Sequence, residues 1–219
     1  MMRLATLLLG ALALVTPAEA GGLIEPGIGV GLVRAGVTEA ELMALRSAQG
    51  ERVMWPLGEG YGSCATKLYP DTPDAFYVHW SDSPEYDLSE PGAEAACLAE
   101  PDRKLAAQVT IVLADDNAGI WKTANGIGLG MSIVDLSKVL GGPLTLLACP
   151  CDFGGYVRDE AGSIPQGLSL WVDFPNQIDP RLEQAIDVQA DYALSSSDIP
   201  ADLAALFPLR EIIVDIDAP

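Results

Sequence analysis

The chain has 219 residues, 49% of them apolar, and carries 31 acidic against 12 basic residues for a formal net charge of −19. A field of that sign repels polyanions, which argues against a nucleic-acid binder built on clustered Lys and Arg and against attachment to anionic lipid by charge. The apolar fraction is that of an ordinary globular chain, so disorder is not expected.

The N-terminus opens with Arg3, runs through apolar Leu4 to Val15, and ends in Thr16-Pro17-Ala18-Glu19-Ala20. That order of positive charge, apolar run and small residues predicts a signal peptide over residues 1–20, with the mature chain starting at Gly21. The apolar run falls short of the roughly 20 residues that a membrane anchor needs. No cysteine follows it to take a lipid, and no later segment reads as a span. The expected location is therefore periplasmic or secreted, with no membrane span after cleavage.

Next comes a repeated pattern. Gly27-Ile28-Gly29-Val30-Gly31-Leu32 recurs as Gly126-Ile127-Gly128-Leu129-Gly130-Met131. A capped helix start follows each copy, Thr38-Glu39-Ala40-Glu41 in the first and Ser132-Ile133-Val134-Asp135 in the second. Leu42 and Leu45 continue the first helix, and Ile133, Leu136 and Leu140 the second. Glycines stop both, at Gly50 and at Gly141 and Gly142. Each helix leads through a loop-rich stretch to a strand, Phe76–Trp80 and Leu168–Val172. A further strand follows each, Val109–Leu113 and Arg210–Ile216, the last preceded by a short helix from Asp198 through Leu206. The stretch from Ser81 to Asp102 reads as a loop. The fold expected is α+β, with two tandem units, 21–107 and 108–219, each a glycine turn, a helix and antiparallel strands, and the helices packed on the sheet.

In the second unit Trp121, Thr123, Gly126, Ile127, Gly130, Met131, Ser132 and Leu136 form one block, followed by Gly142, Pro143, Asp152, Phe153 and Gly155. This pattern resembles that of a group of uncharacterised exported bacterial proteins. Gly141 stands where that group favours Asn, and Cys151 where it favours an aromatic residue. The glycine-then-helix opening is also similar to small modules of the outer-membrane assembly lipoprotein and β-lactamase-inhibitor type. The resemblance implies an envelope location and, for the second likeness, binding rather than catalysis.

Four cysteines in an exported chain, Cys64, Cys97, Cys149 and Cys151, predict disulfides with three pairings open, the simplest joining Cys64 to Cys97. Cys149-Pro150-Cys151 also suggests a redox couple or a Cu(I) site, since soft thiolates select that ion. His79, the sole histidine, falls on the face of its strand opposite Phe76 and Val78. It would have to be the base of any Ser-His-Asp enzyme, yet no G-x-S-x-G elbow exists. The glycine runs lack the last glycine of G-x-G-x-x-G and the Lys-Ser/Thr of a phosphate loop. Asp82, Glu85, Asp87 and Glu90 do not match a calcium-loop spacing, and Asp115-Asp116-Asn117 reads as a turn.

No catalytic constellation is complete and no cofactor is expected. The reading is a binding or scaffold module of the envelope, with an envelope protein as its partner. Three alternatives stay open: a thiol-redox or Cu(I)-handling protein using Cys149 and Cys151, a hydrolase using carboxylates such as Asp152 and Asp173, and a purely structural envelope protein with neither pocket nor partner.

Overall fold

In a computed structural model of the chain, the described residues are 22–45, 49–101, 105–114, 116–149, 154–175, 179–187 and 192–216. The expected signal peptide at 1–20 lies outside them. No helix among them is long and apolar enough to cross a membrane.

The large sheet has seven strands. Its first two, β4 (Gly50–Gly58) and β5 (Tyr61–Leu68), form a long hairpin. Glu59 and Gly60 at its tip both have positive φ, 50° and 83°. That is the type I′ turn whose twist matches the flanking strands, and glycine supplies one of its two left-handed positions without strain. Strand β6 (Phe76–Trp80) pairs with β5, as does the short β7 (Glu85–Asp87) further along it. Beyond β6 lie β8 (Ala106–Val112), β14 (Leu209–Asp215) and β12 (Leu168–Val172), all antiparallel. Strand β14 therefore sits between β8 and β12. Strand β8 runs through the 107/108 division, and the sheet takes strands from both sides of it.

Two small sheets accompany it. In one, β1 (Leu23–Glu25), β2 (Gly29–Val30) and β3 (Val33–Arg34) form an antiparallel meander, and β9 (Lys122–Thr123) adds to β1 in parallel. The other joins β10 (Thr145–Leu147), β11 (Val157–Arg158) and β13 (Ala193–Ser195). The helices are α1 (Glu39–Ala44), α2 (Ala93–Ala99), α3 (Ile133–Leu140) and α4 (Pro180–Glu183).

This corrects the α+β expectation. The chain is mostly β, with 38% strand against 18% helix, and its helices do not form a layer over strands in two units. Both predicted caps are present: Thr38 accepts from the Glu41 N–H, and Ser132 from that of Asp135. The first helix nevertheless ends at Ala44, because only Glu39 and Leu42 on it are buried and Leu45 turns extended. The first glycine run builds strand β2 and the turn into β3 rather than a turn into a helix. The expected loop-rich stretch after α1 is the β4–β5 hairpin. The expected loop 81–102 contains β7 and α2, and the expected helix over 198–206 is two 3₁₀ turns, Ser196–Asp198 and Ala204–Leu206.

One apolar cluster fills one face of the large sheet. Phe76, Val78, Val109, Ile111, Leu170, Ile212 and Val214 are almost completely buried, together with Ile24, Val30 and Val33 of the first small sheet, Leu42 of α1, and Ile133 and Leu136 of α3. Trp121 holds the small sheet to the large one. Its ring meets Phe76 edge-on at 5.2 Å, and its Nε1 donates to the Asp74 carbonyl at 3.2 Å. A Cβ added at Gly22 would lie 2.5 Å from that ring, and one at Gly31 would lie 3.3 Å from it, so glycine is what lets the indole lie flat on this backbone.

At the α1 end the same face holds a buried polar network. Glu39 is 1% exposed and receives two bonds of 2.9 Å from the Arg52 guanidinium. The Thr66 hydroxyl donates to Glu39 Oε1 at 2.7 Å and accepts from Trp80 Nε1 at 3.0 Å. A buried ion pair is tolerated when further hydrogen bonds satisfy it in this way. The disulfide Cys64–Cys97 then ties α2 to β5, with a Cα separation of 5.5 Å.

Candidate functional site: the open face of the large sheet

Side chains alternate across a strand, so each residue between the core positions points to the other face. That face remains half-buried or exposed along β4, β6, β14 and β12. The described helices turn their buried residues into the core and none packs over this side. No described helix covers this face, whose rings are partly exposed while Ala65 of β5 and Thr110 of β8 on the same side are buried.

Aromatic rings stand at both of its ends. On β6, Tyr77 and His79 alternate with the buried Phe76, Val78 and Trp80. Trp55 of β4 reaches across β5 to both, with centroids 4.6 Å from Tyr77 and 5.1 Å from His79. Ala65, which pairs with both Val53 and His79, lies in the strand that Trp55 crosses and is 1% exposed. A small residue there leaves room for the indole. At the far end Trp171 of β12 and its cross-strand neighbour Tyr156 approach to 4.8 Å. Between the two pairs lie Thr110, Val112, Ile213, Glu211 and Ser169.

His79 Nε2 is 2.9 Å from the Thr110 hydroxyl. Burial pushes its pKa down to about 4, so the ring is neutral near pH 7. Glu211 pairs with Val112 on one side and Trp171 on the other. Burial raises its pKa, and the charge of Arg210 partly offsets that.

Next to Tyr77 the face falls into a cavity of about 310 Å³. Tyr77 and Val112 line it, with Asp71 and Thr72 from the segment after β5 and Asp116 and Asn117 from the segment after β8. These segments are pinned. The buried Asn117 amide donates to the Val112 carbonyl and accepts from the Ala114 N–H, both at 2.7 Å. The Thr72 hydroxyl donates to the Tyr69 carbonyl at 2.8 Å.

The sequence-derived candidates are dispersed. Cys64 and Cys97 form the structural disulfide. Cys149 is buried and disulfide-bonded, and Cys151 lies outside the described residues. Among the described residues no cluster of three or more His, Cys, Asp or Glu is placed to hold a metal ion. Asp173 lines a neighbouring cavity of about 420 Å³ together with Arg210, while Asp152, named beside it as a hydrolase carboxylate, lies outside the described residues. Glu85 and Asp87 lie on β7, where Asp87 accepts from Ser89. The residues of the Trp121 block serve packing: Thr123 accepts from the Ile127 N–H, Ile127 and Leu136 are buried, and Ser132 caps α3. Trp55, Trp171 and Tyr156 were not among the sequence candidates. Alternation along 76–80 and along 168–172 was the signal that pointed to this face, with Tyr77, His79 and Trp171 opposite the core positions.

No family model, curated protein or solved structure matches the chain at significant similarity.

Proposed function

We propose that this protein is an exported, non-catalytic binding module of the cell envelope, and that it takes a protein partner on the open face of its large sheet. The observation that carries the reading is the aromatic surface itself: Trp55, Tyr77, His79, Trp171 and Tyr156 stand half-buried on one side of a sheet whose other side is sealed. Rigid, half-buried aromatic side chains are the residues that dominate binding energy at interfaces. The N-terminal pattern at 1–20, the paired cysteines and the resemblance of the second half to exported proteins support the envelope setting.

The test is hydroxyl-radical footprinting of the mature chain, with and without an envelope extract from the source cells. Protection of Trp55, Tyr77 and Trp171 is the expected result. An unchanged face, or protection confined to the side bearing α1 and α2, overturns the reading. Mass spectrometry of the chain recovered from the envelope tests export, with a mass beginning at Gly21 expected and a retained Met1 contradicting it.

A further inference from the structure

The proposal that follows deepens the binding-module reading and rests on it: it names what the partner presents to the open face. The charges around that face are mainly acidic, although Arg210 stands beside Glu211 at the neighbouring cavity. Glu51, Glu85, Glu211 and Asp215 belong to its strands. Asp71 and Asp116 stand exposed at the cavity beside Tyr77. Lys67 also lines this cavity, but its ammonium lies 3.8 Å from Glu51 and is partly neutralised there. These groups belong to a chain whose total net charge is −19.

Aromatic faces attract cations through their quadrupoles, and Arg guanidinium stacks on them most often. Here the ring surface of Trp55 and Tyr77 leads directly into the cavity with its two carboxylates. Tyr69 and Asp71 hold positive φ values of 52° and 60° in the segment that carries Asp71. Side chains rarely adopt that conformation without a supporting context. Here the Thr72 hydroxyl and N–H both donate to the Tyr69 carbonyl and hold the turn that carries Asp71, while the Asn117 bonds hold the separate segment that carries Asp116. A polyanion or an anionic lipid would meet net repulsion from the acidic groups of this surface.

We infer that the open face binds a Lys/Arg-rich segment of its protein partner, with one cationic side chain over Trp55 and Tyr77 and a second in the cavity between Asp71 and Asp116. The test is calorimetric titration of the mature chain at physiological salt with three probes: an eight-residue alternating Arg-Gly peptide, its Glu-Gly counterpart and a neutral glucose heptasaccharide. The Arg-Gly peptide is expected to bind and the other two are not. Trp55→Ala and the pair Asp71→Asn with Asp116→Asn should each weaken it about tenfold, the scale of a partly desolvated cation–π or ion-pair contact. A charge-matched control, Glu94→Gln with Asp198→Asn, should change it less than about twofold, because exposed distant charges are screened.

Equal weakening by the control would mean a diffuse field rather than a site and would overturn the proposal. So would saturable binding of the heptasaccharide with no Arg-Gly binding. If envelope extract protects the face in footprinting and the Arg-Gly peptide does not compete, the binding-module reading stands and the cationic ligand falls. If nothing in the extract protects the face, the reading itself falls.

Discussion

The two faces of the large sheet are made from alternate residues of the same strands. On β6 the buried set is Phe76, Val78 and Trp80, and the half-buried set is Tyr77 and His79. The first set is covered by two small sheets and the helices. The second is covered mainly by its own neighbours, with Trp55 folded across Ala65. The lesson is that large aromatic residues have two separate uses here: Trp121 and Trp80 join elements together, while Trp55 and Trp171 leave surface unspent.

Substitutions on each face separate those uses, and the largest effect belongs to the sealed one. Trp121→Ala should cost about 4 kcal/mol in urea unfolding, as expected for a large buried ring. A loss below that of an exposed-site variant would break the comparison. Glu39→Gln, also on the sealed side, removes the negative partner of Arg52 and should cost about 3 kcal/mol. Unfolding midpoints that match the parent would show the network to be dispensable. Replacing both Cys64 and Cys97 by Ala should cost about 3 kcal/mol, since the crosslink closes a loop over a sequence separation of 33 residues. The thermal midpoint of that double variant, measured against the oxidised parent, checks it.

The open face should respond to pH before it responds to truncation. The pKa of His79 is lowered by burial from 6.5 to about 4. Between those values the unfolded chain binds the proton that the folded chain refuses. Stability is therefore intact above pH 6.5 and declines as pH falls toward 4. His79→Gln should flatten that part of the profile, and an unchanged slope would place the ring in water. Smallest of all, Trp55→Ala should shift stability by less than about 1 kcal/mol, as for a surface position, while removing face-specific protection in footprinting. A loss as large as that of Trp121→Ala would make Trp55 a core residue.

Much of the sheet was legible in the sequence. The strand at 76–80 alternates cleanly, and so does the one at 168–172, because each has one face in the core and one outside it. Helix caps at Thr38 and Ser132 were legible for a local reason: the bonds that define them lie within four residues. The β4–β5 hairpin was not, because Cys64, Ala65 and Thr66 are all buried in succession and blur the alternation, and because Arg52 and Glu39 occupy core positions as an ion pair. The glycine run at 27–32 reads the same whether it leads to a strand or a helix, so the small sheet became visible only in three dimensions. The candidate site is hidden for a related reason: Trp55 meets Tyr77 and His79 from a strand whose sequence reads as loop.

The place of β14 has a consequence for how the chain is made. Residues 209–215 bridge β8 and β12, and Ile216 also pairs with Gly27. A chain emerging vectorially from a ribosome or a translocation channel can form the β4–β8 portion early. It cannot join the far strand to it until residue 215 is free. Until then β8 presents an unpaired edge, which is a template for wrong partners. Strand β14 thus acts as the clasp of the sheet, and the time between the exit of β8 and that of β14 is when the nascent chain most needs protection by a chaperone.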